Sequence, residues 1–257
     1  MTESTVLYEV KDQIAYITLN RPQKSNAFNL EMSYALRDTW KRFEKDKNAR
    51  VAILGGNGKS FSVGVDLADE DRKTSKPWQY HESYPLNGIS LFKPVIGAVR
   101  GYVLGLGYLI GVWGCDITIA SENATFGYPE GKAGVSQIPP QYVPYMPFKI
   151  ALEFMLLSWK GGRMMSAQRA YEVGLVNKVV PDSELIDEAV RWAEMLKGVP
   201  PLYVKSVKYG YYMGTERTSR KTEREYVDFV MPQEVSQDRQ EAIKAFIEKR
   251  EPRFEGK

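Results

Sequence analysis

Residues 101–116 read GYVLGLGYLIGVWGCD, an apolar run that glycines interrupt at short intervals. Glycine adopts backbone conformations that other residues avoid, so Gly101, Gly105 and Gly107 predict a tight turn between a buried strand and a helix. The first amide groups of such a helix lack partners within the helix, and its dipole favours negative charge at that end. The segment therefore predicts an anion-binding turn on a buried scaffold.

A second turn of this kind lies upstream, in the stretch KSFSVGVDL at residues 59–67. It follows the apolar run VAILGG, and together the two turns can supply a pair of amide donors to one oxyanion. Downstream, residues 124–130 read ATFGYPE and end in Glu130, which directly follows Pro129. Each turn alone is a weak signal, because glycine in an apolar run is more often a packing residue, and glutamate is usually exposed in loops. Their combination favours a site with two donors and one carboxylate.

Short β-branched runs alternate with a helical pattern over the first two thirds of the chain, and the last third is mainly helical in pattern. This order is typical of βα units around a parallel sheet, so the sequence predicts an α/β fold. Ser166 is a candidate helix N-cap, Gly174 a candidate C-terminal stop, and Pro200 or Pro201 can open the next helix. The predicted strands are residues 6–10, 14–20, 51–56, 94–99 and 116–121, and the predicted first helix covers residues 30–46.

Composition sets limits on the class of protein. The 257 residues are 43% hydrophobic and 26% charged, which suits one large domain or a domain with an appendage. A net charge of +3, with basic residues dispersed among acidic ones, gives no case for nucleic-acid binding. Residues 1–10 lack the pattern of a signal peptide, and the chain has no apolar run long enough to cross a bilayer. The sequence predicts a cytoplasmic protein that does not bind membranes.

The chain has one cysteine, Cys115, and one histidine, His81. These counts exclude an intramolecular disulfide framework and a Cys/His metal cluster within one chain. Cys115 lies in the apolar run CDITIA and is interpreted as a small core residue. His81 lies in a polar segment and is interpreted as a surface residue.

Six segments, in this order, resemble the crotonase, or enoyl-CoA hydratase/isomerase, superfamily: ITLNRPQKSNAFN, FSVGVDL, PVIGAVRGYVLGLG, CDITIASENATFGYPE, SAQRAYEVGLVNKVVP and EAIKAFIEKREPRF. The resemblance implies a crotonase-like ββα spiral core in residues 1–199 that carries an acyl-CoA site. It implies a C-terminal helical region, residues 200–257, as a trimerisation layer in a homotrimer or a dimer of trimers. It also implies an acyl-CoA thioester substrate and neither a metal nor a cofactor beyond the CoA of the substrate.

The resemblance assigns roles at the reacting end of the site. The backbone N–H groups of Val65 and Leu106 would form an oxyanion hole, and Glu130 would be the catalytic acid/base. Two fixed amide donors stabilise the enolate oxygen that forms when a thioester loses a proton or gains a nucleophile. The family commonly has Ala and Gly at the two donor positions, so the larger side chains here narrow the space around the thioester.

The resemblance also implies residues that contact CoA. The loop at residues 24–28 would lie near the nucleotide and pantetheine, and the two glycine-marked turns would line the thioester arm. Asp66 has a second interpretation as a helix N-cap. The implied CoA-binding residues are Lys24, Asn26, Ala27, Phe28, Ser62, Gly64, Asp66 and Gly105.

The chain departs from the two-glutamate hydratases at Leu109, which stands where those enzymes have a second glutamate. A single carboxylate is enough to move a double bond, whereas two carboxylates readily deliver both elements of water. Enoyl-CoA isomerisation and single-glutamate hydration are therefore the leading reactions. Two alternatives remain open: a hydrolase or hydratase-lyase that cleaves a C–C bond in a cyclic, aromatic or β-oxygenated acyl-CoA, and a non-catalytic member that binds acyl-CoA or RNA.

Two further features bear on these alternatives without choosing among them. Asp69, Glu70 and Glu82 are the acids that can replace the missing second glutamate. Aromatic residues are dense near the predicted pocket, which fits either a filled core or a flat acyl group in lipid or aromatic-acid metabolism; they are Tyr102, Tyr108, Trp113, Tyr128, Tyr142 and Tyr145.

Overall fold

The computed structural model describes residues 4–73, 77–85, 91–129, 146–159 and 162–215, and single positions between 237 and 255. In chain order the strands are β1 (Val6–Lys11), β2 (Ile14–Leu19), β3 (Val51–Gly56), β4 (Val95–Val99), β5 (Tyr102–Leu104), β6 (Ile117–Ser121), β7 (Thr125–Gly127), β8 (Met165–Ser166) and β9 (Lys178–Val180). The helices with defined ends are α1 (Leu30–Lys45), α2 (Leu106–Tyr108), α3 (Phe148–Leu157), α4 (Ala167–Glu172), α5 (Leu185–Lys197) and α6 (Pro201–Thr215).

Six strands form the main sheet in the order β1-β2-β3-β4-β6-β9. The β1–β2 pair is antiparallel, and every other neighbouring pair in this sheet is parallel. The predicted α/β class is confirmed. The run VAILGG forms β3 over the predicted residues, and the other four predicted strands agree within one residue. These strands were predictable because their apolar runs are short and bounded by turn residues.

Apolar side chains cover both faces of the main sheet. On one face α1 buries Trp40 and Phe43, and this core continues to Phe61 and Phe126. On the other face α5 packs against β3, β4 and β6. Burial on both faces explains why β3 and β4 read as continuous apolar runs.

The helix boundaries follow local side-chain chemistry. Asn29 caps α1 by accepting a hydrogen bond from the amide of Met32, and the ammonium of Lys93 donates to the carbonyls of Phe43 and Asp46 at the other end. The predicted N-cap Ser166 is confirmed, because its hydroxyl accepts from the amide of Arg169.

The helix-stop and helix-start predictions also agree with the structure. Gly174 has a left-handed φ of 80° just after α4, as expected of a helix stop. Pro201 is the first residue of α6. Lys208 of α6 reaches the core, where its ammonium donates to the carbonyl of Lys93 and to the carboxylate of Asp116. The division at residues 199 and 200 stays a prediction, and so does the role of residues 200–257 as a trimerisation layer.

A short second sheet, in the order β5-β7-β8, carries the predicted site segments. β5 and β7 are parallel, with Leu104 opposite Gly127. Because parallel strands point the same way, the chain leaves β5 and β7 at the same edge. The residues after Leu104 and those after Gly127 therefore start from one point. No helix in the described residues is both long and apolar enough to cross a membrane.

Candidate active site

The two glycine-marked turns meet in the structure. Ser62 forms a parallel bridge with Val103, and its carbonyl accepts from the amide of Leu104. At the next residues the two backbones leave little room for a side chain: a Cβ at Gly64 would lie 3.1 Å from the carbonyl oxygen of Leu104 and 3.4 Å from the amide nitrogen of Leu106. The peptide unit that ends in Val65 therefore lies against the first amide of α2.

The amide of Val65 is oriented by Phe28. The amide of Phe28 donates to the carbonyl of Gly64 at 2.8 Å, and the amide of Asp66 donates to the carbonyl of Phe28 at 2.8 Å. In such parallel pairing the residue between the two bonds directs its own N–H and C=O to the opposite side. The N–H of Val65 therefore points away from Phe28.

Within the described residues, neither the Val65 amide nor the Leu106 amide has a hydrogen-bond acceptor. Leu106 is the first residue of α2, so its N–H has no partner in the helix. The left-handed backbone conformations of this region fall on Gly64, with φ of 92°, and on Gly105, with φ of 52°. The larger residues at positions 65 and 106 are therefore compatible with the turns, because the glycines adopt the conformations that larger residues avoid.

The third segment reaches the same edge from β7. The amide of Gly105 donates to the carbonyl of Gly127 at 3.0 Å, and Tyr128 is held by Ser158, whose carbonyl and hydroxyl both accept from its amide. Pro129 is the last described residue of this segment. Glu130 lies outside the described residues, and so do Tyr142 and Tyr145.

Leu109, at the place of the missing second acid, is 2% exposed and belongs to the main core. It begins a π-helical segment, Leu109–Trp113, that continues α2. Tyr108 is fully buried, with ring centroids 5.0 Å from Trp113 and 4.7 Å from Phe154, and burial raises the pKa of its hydroxyl well above the ordinary value. The ring contacts of Tyr108 and Trp113 favour the filled-core interpretation for these two residues. No sequence signal predicted the π-helical segment.

Of the residues expected to contact CoA, Asn26 and Ser62 are fully buried, and their side chains are used inside the protein. The Asn26 amide group donates to the carbonyls of Asn57 and Ser60, and the Ser62 hydroxyl donates to the carbonyl of Asn26. Phe28 is also fully buried, whereas Lys24 is exposed. The side chains of Asn26, Ser62 and Phe28 therefore pack within the protein, and Lys24 is an exposed cation of the same loop.

The candidate replacement acids have structural partners or lie in solvent. The carboxylate of Asp69 accepts from the amide of Leu30 and from the hydroxyl of Tyr80, and Glu82 pairs with Arg37 at 2.5 Å. Glu70 is exposed.

Cys115 and the metal-ligating residue types add no second site. The Cys115 thiol donates to the carbonyl of Ile110, and burial raises its pKa, as expected of a packing residue. In the described part of the chain no group of three His, Cys, Asp or Glu side chains is arranged to hold a metal ion.

Comparisons with known proteins identify the family of the chain. The model of the enoyl-CoA hydratase/isomerase family matches residues 9–257. The chain is 34% identical to (E)-benzylidenesuccinyl-CoA hydratase of Thauera aromatica over 98% of this chain and 99% of that protein. It is 33% identical to mevalonyl-coenzyme A hydratase of Aspergillus fumigatus over 94% of this chain and 91% of that protein.

The fold comparison gives the same result. The crystal structure of an enoyl-CoA hydratase from Mycobacterium tuberculosis H37Rv superposes with a TM-score of 0.86 and 32% identity, covering 99% of this chain and 100% of that one. The family match and the fold thus define an enzyme class that transforms acyl-CoA thioesters. The chain belongs to the enoyl-CoA hydratase/isomerase family of the crotonase superfamily.

Proposed function

We propose that this enzyme catalyses reversible addition of water to the double bond of a 2-enoyl-CoA thioester, with Glu130 as its single acid/base. The observation that carries the proposal is the approach of the Val65 and Leu106 amides at Gly64, neither of which has an acceptor among the described residues. The hydratases reported above support water addition as the reaction.

The two amides would bind the thioester oxygen. When hydroxide character develops at C3, electrons move through the double bond to the thioester, and its oxygen takes up the negative charge of an enolate. Fixed N–H donors stabilise this charge without reorganisation, and one such donor is typically worth about 10²–10³ in rate.

Glu130 would handle the proton. Its carboxylate would take a proton from the attacking water and return it to C2, so that water is added without a net change at the enzyme. The shared edge of β5 and β7 supports this assignment, because Leu106 follows β5 by two residues and Glu130 follows Pro129 after β7.

Isomerisation is the second candidate, and the buried Leu109 is the observation that favours it. A double-bond shift needs one base to remove a proton at C2 and return it at C4, and it needs no bound water. The apolar side chain of Leu109 gives an attacking water no partner at that place.

The remaining features follow from the family. Enzymes of this family generally work without a cofactor, and we propose the same here, with CoA entering as part of the substrate. Lys24 would contact the phosphates of CoA. A homotrimer or a dimer of trimers in the cytoplasm completes the proposal.

The test is to incubate the protein in heavy water with two hexenoyl-CoA isomers, one with the double bond at C2 and one at C3, and to analyse products by mass. Gain of the elements of water by the C2 isomer supports hydratase chemistry. Conversion of the C3 isomer to the C2 isomer without gain of water supports the isomerase. No conversion of either would overturn both and direct the search to the C–C bond cleavage of β-oxygenated or cyclic thioesters.

Glu130→Gln separates the acid/base role from binding. We expect kcat to fall by about 10²–10⁴, because the amide can neither take nor return the proton, while acyl-CoA binding persists. Glu153→Gln, at an exposed ion pair of α3, is the matched control and should retain wild-type kcat.

A further inference from the structure

We infer that Arg21 is a positioning residue for the Val65 donor and acts through the carboxylate of Asp66, the residue that follows Val65. The inference rests on the proposed function of the two amides. Nothing in the sequence pattern singled out Arg21, and Asp66 was expected to contact CoA.

The guanidinium of Arg21 joins two segments that are far apart in sequence. Its two terminal nitrogens each lie 3.2 Å from one carboxylate oxygen of Asp66, and one of them also donates to the carbonyl of Ala27. The side chains are only 14% and 12% exposed. This ion pair is therefore better shielded from solvent than an ordinary surface pair, whose contribution is small.

These contacts close a ring of interactions around the donor. Asp66 makes two contacts with the neighbouring segment. Its amide donates to the carbonyl of Phe28, and its carboxylate accepts from the guanidinium of Arg21. The carbonyl of Gly64 accepts from the amide of Phe28 on the other side of Val65. Rotation of the Val65 peptide would break at least one of these bonds, so the direction of its N–H is fixed.

Arg21 is itself held in place by its backbone. Its amide donates to the side-chain oxygen of Asn26 at 2.8 Å, and its carbonyl accepts from the amides of Lys24 and Asn26. Asn26 is fully buried, and its side chain also donates to the carbonyls of Asn57 and Ser60, so the loop is bound to the segment after β3. The guanidinium thus starts from a rigid anchor.

Charge gives Arg21 a second effect. The Asp66 carboxylate is one residue from the donor that would face a developing negative oxygen, and an uncompensated carboxylate there would oppose that charge. Arg21 balances the carboxylate. The other Asp66 oxygen accepts from the amide of Ala68, so the carboxylate is fully used within the protein, and its negative charge makes it a poor partner for CoA phosphates.

Three variants separate orientation from charge: Arg21→Met, Arg21→Lys and the double variant Arg21→Met/Asp66→Asn. We expect Arg21→Met to lower kcat by about ten- to hundredfold with little change in KM, because it releases the donor and leaves the carboxylate unbalanced. The double variant removes that carboxylate charge and should regain part of the lost kcat. Arg21→Lys keeps the positive charge but has one nitrogen in place of the two that contact Asp66, and its kcat should lie between those of wild type and Arg21→Met.

A direct readout is the polarisation of the thioester carbonyl, measured as the red shift of a bound cinnamoyl-CoA chromophore. We expect the shift to shrink in Arg21→Met and to recover in part in the double variant. Glu188→Gln, which removes a buried carboxylate of α5, is the control that loses stability and keeps the full shift.

The outcomes distinguish the two proposals. If wild-type protein shifts the chromophore and converts enoyl-CoA, but Arg21→Met does both equally well, the role of Arg21 is overturned and the proposed function stands. A double variant no better than Arg21→Met overturns the charge-balancing role. If wild-type protein neither shifts the chromophore nor converts substrate, the oxyanion hole itself is overturned, and the inference about Arg21 fails with it.

Discussion

At the residue scale, Gly64 is the position on which the approach of the two turns depends most directly. Its φ of 92° disfavours any side chain, and a Cβ would meet the carbonyl of Leu104 and the amide of Leu106. We predict that Gly64→Ala moves the Val65 donor and lowers kcat by at least about tenfold, since small misplacements of catalytic groups cost that much or more. Steady-state kinetics on folded protein measures the effect.

Gly174→Ala is the control for backbone strain alone. Gly174 also has a positive φ, of 80°, but a Cβ there would meet nothing within 4 Å. It should cost about 1 kcal/mol of stability and leave kcat unchanged. Equal loss of kcat in both variants, or full activity of Gly64→Ala, would show that the close approach at Gly64 has no catalytic importance.

Single residues differ in how far the sequence could predict their surroundings. Val65 and Leu106 could be assigned as donors through the resemblance of their segments to the family, and the assignment stays a proposal. The pairing of Arg21 with Asp66 could not be foreseen, because the two are 45 residues apart and only the folded chain brings them together. The sequence also places Asn26 and Ser62 among the CoA-binding residues, because the partners that their side chains bind inside the protein are distant in sequence.

At the scale of elements, a buried carboxylate attaches α5 to β9. Glu188 is 4% exposed at its side chain and accepts hydrogen bonds from Lys178 at 2.6 Å, from Trp192 at 2.7 Å and from Arg191. The bonds from Lys178, then Arg191, lower the pKa of Glu188 from 4.5 to about 2. We predict that Glu188→Gln lowers the free energy of unfolding at neutral pH by about 2 kcal/mol, measured by denaturant titration.

The pH dependence of this difference follows from the direction of the pKa shift. A carboxyl group with a lowered pKa in the folded state stabilises the protein above its ordinary pKa of 4.5, and this stabilisation is lost as pH falls towards 2. The difference between wild type and Glu188→Gln should therefore shrink on acidification below about pH 4.5. Asp187→Asn, at the exposed neighbour, is the control and should show a much smaller effect. A Glu188→Gln penalty that stays constant down to pH 3 would contradict the assigned ion pairs.

Lys208 plays the corresponding part for α6. Lys208 is 8% exposed, and its ammonium is 2.8 Å from the carbonyl of Lys93 and 2.7 Å from the carboxylate of Asp116. We predict that Lys208→Met lowers the free energy of unfolding by about 2 kcal/mol, because both acceptors lose a buried donor. Lys149→Met, at an exposed position of α3, should be neutral. A neutral Lys208→Met would show that α6 docks by apolar contacts alone.

Strands and helices were predictable from the sequence to different degrees. β3 and β4 could be predicted because both faces of the sheet are covered, so that nearly all their residues are apolar. The π-helical segment after α2 could not be predicted, because its apolar letters read as an ordinary helix. Its packing depends on Gly97 of β4, where an added Cβ would clash with the carbonyl of Gly111. Only the pairing of these two distant glycines reveals that contact.

At the scale of the whole molecule, six motif segments in one order predicted the fold through their resemblance to the crotonase superfamily. The oligomeric assembly could not be predicted in this way, because its contacts lie between chains and the sequence pattern of one chain does not indicate them. The described helices do, however, expose large apolar side chains. Phe148, Leu152 and Leu156 lie four residues apart along α3, and Phe148 and Leu156 are 70% and 64% exposed.

We predict that the protein associates, because an exposed apolar row of this kind is costly in water and is covered by association. The homotrimer or dimer of trimers proposed above would sediment as three or six copies of the 29.3 kDa chain. Leu156→Glu introduces a charge into that row and should shift the sedimenting species towards single chains, since a buried unpaired carboxylate opposes association. Lys149→Glu, which adds the same acidic side chain at an exposed polar position of α3, is the control. Single-chain mass for wild type would contradict the trimer, whereas an unchanged assembly in Leu156→Glu would place the contacts on other surfaces, such as the exposed Tyr203 and Tyr211 of α6.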